Sequence, residues 1–242
     1  MRVNRPVALP LALLIALVAA APAATQPAGT IEFYVSHAVI GGQPGPAQTY
    51  DAPPAPCSDR AYRLAGGKWT KTLKWHFRAS STPTGLSTSS TQSVIARAFN
   101  NIVNARNDCG RSDRVSATHA YQGTTATKAR CNYRDGKNVV GFKSLSSGIL
   151  ARTCWWVSSG RIIEADIQIN NNFRWALSLS SCSAQPMLEA VMTHEVGHAY
   201  GMGHVGEKNH GRLTMSTRLD SMCNNQESTL GLGDLLGLQQ LY

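Results

Sequence analysis

The sequence predicts a mixed α/β (α+β) domain, because strand patterns and helix patterns alternate along the chain from residue 69 onwards. Apolar and polar residues alternate in the strand-like stretches 73–77 and 161–169. Apolar residues recur at helical spacing over 94–103. A second helical stretch begins near Pro186 and is apolar on almost every side, so we expect it to be buried. The 242 residues suffice for one well-buried domain with additional segments.

Residues 1–23 have the pattern of a secretory signal peptide. Arg2 and Arg5 precede an apolar run at 7–20, and residues 21–23 offer a small-x-small cleavage pattern. The run is shorter than the ~20 apolar residues that a membrane-spanning helix needs. We therefore expect a secreted, extracellular protein that has no membrane anchor and acts as a monomer.

Residues 24–56 form a segment rich in proline and glycine, which we interpret as an N-terminal arm or short pro-segment. Strong breakers occur at 41–46 and 53–56, and only 31–40 resembles a strand. A segment so poor in apolar residues cannot bury much core surface. We therefore expect this arm to be protease-sensitive and dispensable for the fold, with the folded domain at 57–242.

Six cysteines follow the predicted signal peptide: Cys57, Cys109, Cys131, Cys154, Cys182 and Cys223. In an exported chain an even number predicts three disulfides, and all 15 ways of pairing them remain open. We expect Cys57 to be bonded to the domain. No Cys-x-x-Cys pair occurs, which argues against a second zinc site built from thiolates.

The charge of the chain is strongly positive. The formal net charge is +9, and removal of Arg2 and Arg5 with the signal peptide would leave +7. The basic residues are scattered and form no stripe interleaved with aromatic residues, so we expect a basic surface and no nucleic-acid binding.

The elements of the domain follow in chain order. After the strand at 73–77, a capping box of Ser89 and Gln92 predicts a helix that ends at 108–110. Further strands are expected at 114–121, 138–142, 148–157 and 161–169, and a last helix at 230–242. In the strand 161–169 we expect an inward apolar face, and we expect Glu164 and Asp166 to face water. The inward residues would be Ile163, Ala165, Ile167 and Ile169.

The stretch 194–204 carries the pattern of a metal site. His194 and His198 are four residues apart, so a helix places both imidazoles on one face. Gly201 permits the chain to reverse, and His204 can then supply a third ligand from the other side. Three imidazoles leave the fourth position on zinc open to water, as in catalytic sites. Glu195 lies about 100° further round the helix, where it can act as general base.

This eleven-residue pattern, followed by Met215, resembles the signature of the metzincin clan of zinc peptidases, and most closely that of matrixin-type catalytic domains. The resemblance implies a twisted, mostly parallel sheet of five strands with a backing helix, a catalytic helix and a small C-terminal subdomain that ends in a helix. It implies that the edge at 148–157 holds the substrate. Met215, or as a weaker candidate Met222, would lie beneath the zinc.

The resemblance also bears on the metals and on Cys57. Many matrixins bind calcium, so Ca2+ remains open here with its ligands unassigned. In matrixins a free cysteine of the pro-segment occupies the zinc. The residues around Cys57 do not match the surroundings of that cysteine, which favours the disulfide.

The sequence therefore predicts a secreted zinc metalloendopeptidase that acts on protein or peptide substrates. One catalytic Zn2+ would be held by His194, His198 and His204, with Glu195 as general base. The alternative is a zinc-bearing, catalytically weak protein that binds a peptide or partner on a peptidase fold. The presence of Glu195 favours the enzyme, because a binding protein has no need of a general base.

Overall fold

The computed structural model describes residues 31–40, 53–112, 114–219 and 221–242. The predicted signal peptide lies outside these ranges. The strands are β1 (Ile31–Ile40), β2 (Arg63–Leu64), β3 (Leu73–Phe77), β4 (His119–Thr124), β5 (Asn138–Lys143), β6 (Ile149–Ser158), β7 (Arg161–Asn170), β8 (Met202–Gly203) and β9 (Arg218–Leu219). The α-helices are α1 (Thr88–Val103), α2 (Leu188–Ala199), α3 (Glu207–His210) and α4 (Leu232–Leu241).

The main sheet has seven strands in the order β4-β3-β5-β7-β6-β1-β9. Strands β4, β3, β5 and β7 are parallel neighbours, and β9 runs parallel to β1. Strand β6 is antiparallel to both of its neighbours, β7 and β1. The predicted mixed α/β class and mostly parallel sheet are confirmed. The predicted number of five strands is wrong, because β1 from the arm and the short β9 extend the sheet beyond β6.

Helices α1 and α2 lie against each other and enclose the apolar core with the sheet. The apolar face of α1 is buried as predicted, and Phe99 stacks on Trp75 of β3 with ring centroids 4.4 Å apart. Arg97 of α1 donates two hydrogen bonds to Glu189 of α2, at 3.0 and 3.1 Å. The N-cap of α1 is Ser87, two residues before the predicted one, and its hydroxyl accepts a hydrogen bond from the Ser90 N–H.

The face of β7 opposite to the core residues Ala165 and Ile167 carries buried carboxylates. This contradicts the expectation that Glu164 and Asp166 face water. Glu164 is 1% exposed and Asp166 is 0% exposed. Asp166 accepts hydrogen bonds from the backbone N–H groups of Arg130 and Val139 at 2.6 and 2.7 Å. Burial raises the pKa of Asp166 to about 8, against the opposing effect of these hydrogen bonds. The segment leading to β5 covers this face, and its backbone donors require acceptors beneath it.

Two further expectations about strands are wrong. Ile163 is 37% exposed, because the β6–β7 pairing shifts register between Trp156 and Val157, so Ile162 takes its place inside. The strand predicted at 114–121 begins only at His119. Ser116 instead donates its N–H to the Tyr242 carbonyl, at 3.1 Å.

The arm contributes a strand to the main sheet at 31–40, the one stretch of the arm that resembles a strand in the sequence. The strand-like stretch is β1, and it pairs with β6 from Ile31↔Ser158 to Val39↔Ile149. Ala38 is 4% exposed and belongs to the core. The backbone of this strand thus pairs with the sheet, and most of its ten residues are apolar although the arm as a whole is rich in proline and glycine.

Three disulfides pair all six cysteines: Cys57–Cys109, Cys131–Cys154 and Cys182–Cys223. The predicted disulfides and the bonded state of Cys57 are therefore confirmed. Among the described residues, no helix has the length and apolar character needed to cross a membrane.

Reduction of the disulfides is expected to lower the melting temperature substantially. The bridges close loops of 52, 23 and 41 residues, and each is expected to contribute about 3–4 kcal/mol to the free energy of unfolding. For a domain of this size, one bridge then corresponds to about 10 °C. Thermal unfolding followed by circular dichroism, with and without reductant, measures the shift. Iodoacetamide without reductant is the control, and labelling of any cysteine in the folded protein would contradict this disulfide assignment.

Candidate metal centre and cleft

Helix α2 carries the first two histidines in a fully buried setting. All twelve of its residues are buried, as its apolar composition predicts. The helix ends at Ala199 with Tyr200 as its C-cap, and Gly201 follows with φ +92°, which reverses the chain. Any side chain at this position would collide with the Gly67 carbonyl oxygen. Gly201 thereby directs the chain back along α2 and brings His204 towards the two helical histidines.

The three imidazoles meet at one point. The His194 Nε2 lies 2.9 Å from the His198 Nε2 and 3.1 Å from the His204 Nε2, and the remaining pair is 3.0 Å apart. Tetrahedral zinc with bonds of about 2.0–2.1 Å requires nitrogens about 3.3 Å apart. The structure therefore brings all three predicted ligands together, with a spacing close to that of a metal site. Among the described residues, this is the only group of three or more His, Cys, Asp or Glu residues that could hold a metal ion.

The hydrogen bonds of the two helical histidines are made through Nδ1 and orient each Nε2 towards the point where the three imidazoles meet. The Nδ1 of His194 lies 2.7 Å from the Thr214 carbonyl oxygen, and the Nδ1 of His198 lies 2.8 Å from the Met202 carbonyl oxygen. A carbonyl only accepts, so each Nδ1 carries the proton and each Nε2 presents its lone pair. Burial lowers the pKa of His194 to about 3, with a further lowering by His204. His194 is therefore neutral at physiological pH, the state that a metal requires.

Glu195 faces the sheet from the same helix and is fully buried. Its Oε2 accepts a hydrogen bond from the Thr153 hydroxyl of β6, and its Oε1 accepts one from the Ala38 N–H at 2.9 Å. Burial raises the pKa of Glu195 to about 8, while these two hydrogen bonds oppose the rise. Thr153 thus orients the carboxylate, and Ala38 brings the arm into direct contact with it.

Met215 supports the middle of α2 from below. It is 1% exposed, and a side chain at Gly197 would overlap its sulfur. The Asp234 carboxylate of α4 fixes this turn by accepting the N–H groups of Thr214 at 2.8 Å and Met215 at 3.1 Å. Burial raises the pKa of Asp234 to about 6 against these hydrogen bonds. Helix α4 therefore positions the Thr214 carbonyl that holds His194.

A small cavity adjoins the metal centre. Its volume is about 10 Å³, and Ala38, Val191, His194 and Leu219 are among its lining residues. We use "cleft" for the space between β6, α2 and β9, which β1 occupies and which this cavity adjoins. Sequence reasoning placed the three histidines and Glu195, but it missed Ala38, Thr153 and Asp234. No local pattern marks these residues, because their roles depend on distant partners.

The mixed sheet, the buried helix and the cluster of imidazoles define a metallopeptidase-type domain. The family model of Peptidase_M10 (Matrixin) matches residues 68–242. The chain therefore belongs to the matrixin family, which confirms the resemblance drawn from the histidine motif. A comparison with curated proteins found no matching relative.

Proposed function

We propose that this protein is a secreted zinc metalloendopeptidase that cleaves protein or peptide substrates as a monomer. The observation that carries the proposal is the convergence of the three Nε2 atoms within 3.1 Å of one another, beside a buried glutamate on the same helix. His194, His198 and His204 would hold the zinc. Glu195 would be the general base. Membership of the matrixin family supports both the metal and the reaction.

The residues of the cleft divide the chemistry between them. A zinc ion, when bound, supplies the Lewis acidity that lowers the pKa of water to about 7 and polarises a substrate carbonyl. Glu195 takes the proton from the attacking water and passes it to the amide nitrogen as the C–N bond breaks. Thr153 holds one carboxylate oxygen, which leaves the other directed into the cleft. Strand β6 is not at the edge that the resemblance implies, because β1 pairs with it; once β1 leaves, its backbone groups can pair with an extended substrate.

The alternative is a zinc-bearing protein that holds a peptide in the cleft without efficient cleavage. The contact between Ala38 and Glu195 gives this alternative some support, because a strand does occupy the cleft. Integrity of the histidine motif and of Glu195 favours the enzyme. Ca2+ has no assigned ligands, and no described residues outside the histidine cluster are grouped to suggest a site for it.

Removal of the metal tests the proposal. The protein with zinc bound is expected to hydrolyse casein, to lose this activity in 1,10-phenanthroline, and to recover it when zinc is added back. Metal analysis before and after chelation verifies the zinc content. An enzyme that stays fully active after verified removal of the metal would contradict the proposal. Casein that stays intact with the zinc-loaded protein, from which the arm has been removed, would favour the binding alternative.

A further inference from the structure

We propose that the arm is the enzyme's own first substrate, and that the peptide bond cleaved is the one between His37 and Ala38. This inference rests on the proposed function, since it requires the same zinc and the same base. It adds the substrate, the scissile bond and the residue recognised after the cut. Four observations on β1 and its surroundings carry it.

The first observation is the way in which the arm lies in the cleft. Strand β1 pairs antiparallel with β6 along nine residue pairs, and its last two residues pair parallel with β9. The Val39 N–H also donates to the Thr217 carbonyl oxygen, at 3.3 Å. The segment is thus held from both sides as an extended strand, the conformation in which a sheet edge binds a peptide.

The second observation fixes the position of the bond. The Ala38 N–H donates a hydrogen bond to Glu195 Oε1, at 2.9 Å. This nitrogen belongs to the His37–Ala38 peptide group. A general base must lie within hydrogen-bonding reach of the atoms between which it transfers a proton. Glu195 is therefore placed to give a proton to the Ala38 nitrogen as that nitrogen leaves.

The third observation is that the pairing register breaks at the same place. Ala38 pairs with Ala151 of β6, but Val39 pairs with Ile149, so one residue of β6 is skipped. From Val39 onwards, β9 provides a second set of pairing partners. Up to Ala38 the arm pairs with β6 alone, and from Val39 it pairs with both β6 and β9. The His37–Ala38 peptide group therefore lies immediately before this change.

The fourth observation concerns the side chain that follows the bond. Ala38 is 4% exposed and lines the cavity of about 10 Å³ together with Val191, His194 and Leu219. A buried water needs about 10–15 Å³. The space beside the Ala38 methyl group is therefore no larger than one water, so this position accepts a small residue and excludes a large one. The same cavity should favour small residues after the cut in other substrates.

The reaction balances as a simple hydrolysis. The oxygen of one water forms a bond to the His37 carbonyl carbon, and the bond from that carbon to the Ala38 nitrogen breaks. One proton of the water passes through Glu195 to the Ala38 nitrogen. The products are a peptide that ends in the His37 carboxylate and a protein that begins with the amino group of Ala38. Until this cut occurs, the arm blocks the cleft, so cleavage of added substrates should begin after a lag.

The experiment follows the N-terminus of the full exported chain as purified, by intact mass and N-terminal sequencing, while casein cleavage is measured in parallel. With zinc bound, the wild-type chain is expected to begin at Ala38 after incubation, at a rate that does not change on dilution. The Glu195→Gln variant is expected to keep the bond intact. In the Ala38→Phe variant this bond should be cleaved at least about 100-fold more slowly, because the larger side chain displaces the bond from its alignment with the catalytic groups. Ala38→Ser is the matched control and should process at a rate close to that of the wild type.

A second measurement does not depend on activity. Hydrogen exchange on the Glu195→Gln variant should show protected amides over Ile31–Ile40, and the added Ala38→Phe change should remove this protection. Free exchange of these amides in the Glu195→Gln variant would overturn the inference. Casein cleavage by a wild-type chain that keeps its arm, or is cut at another bond, would overturn the inference and leave the proposed function intact. Intact casein together with an intact arm, in protein with verified zinc, would contradict both.

Discussion

Replacing Glu195 with glutamine is expected to lower turnover of a peptide substrate by about 10²–10⁴-fold while zinc stays bound. The amide keeps the size of the carboxylate and its Oε1 acceptor, but it cannot take a proton from water. Glu195 is not one of the three convergent imidazoles, so the ratio of metal to protein should remain that of the wild type. Steady-state rates and metal analysis on one preparation measure the two properties together.

A matched control lies on the same helix. Glu189 is buried like Glu195, but its partners are Arg97 and Asn101 of α1 and lie away from the cleft. Glu189→Gln should therefore leave turnover unchanged. Because an uncleaved arm would itself reduce casein cleavage, the comparison is repeated with Ala38→Phe added to every variant. Retention of most of the turnover by Glu195→Gln in that background would exclude Glu195 as the general base.

Replacing Gly201 with alanine is expected to cost about 2–5 kcal/mol of the free energy of unfolding, from backbone strain and overpacking together. Its φ of +92° is unfavourable for any residue with a Cβ, and the added methyl would collide with the Gly67 carbonyl oxygen. The reversal that delivers His204 depends on this conformation. Zinc affinity should therefore fall together with stability. Urea unfolding and competition with a chromogenic chelator measure the two losses.

Replacing Gly85 with alanine distinguishes the cost of backbone strain from the cost of steric collision. Gly85 has the same φ of +92°, but no atom lies within 4 Å of the place that a Cβ would occupy. Gly85→Ala should therefore cost only the strain, about 1–2 kcal/mol, and should leave zinc affinity unchanged. Equal losses in the two variants would show that the approach of Gly67 to Gly201 has no energetic importance.

The metal centre could be predicted from the sequence because its parts are local. His194, Glu195 and His198 lie on one helical turn, and Gly201 with His204 completes the pattern within a few residues. The spacing of a helix and the φ of a glycine are enough to bring these groups together. Periodicity predicted where most strands lie along the chain, and apart from the strand at 114–121 their ends lie within one residue of those predicted. The mostly parallel arrangement of the sheet came from the family resemblance.

The errors fall where distant segments decide the outcome. Alternation along 161–169 indicated a solvent-exposed face for Glu164 and Asp166. The segment 130–139 covers this face, and its backbone N–H groups donate hydrogen bonds to both carboxylates. A register shift in the pairing of β6 with β7 places Ile162 inside the domain instead of the predicted Ile163. We judged the arm by the apolar content of the whole segment. Its place in the fold depends instead on the backbone pairing of one strand with β6, which overall composition does not reveal.

The Cys57–Cys109 bridge gives the proposed cut an unusual consequence. After the His37–Ala38 bond is broken, the stretch 38–56 stays joined to the domain through the peptide chain, and the bridge fixes the end of this stretch at Cys109. A short tether keeps an attached segment at an effective concentration on the order of millimolar. The new amino terminus is therefore a resident competitor at the primed side of the cleft, where β9 pairs with it. External peptides must displace it, so the apparent affinity for every added substrate is lowered by the same factor. At low concentration only the substrates that bind well are then cleaved, and the anchored terminus limits substrate choice.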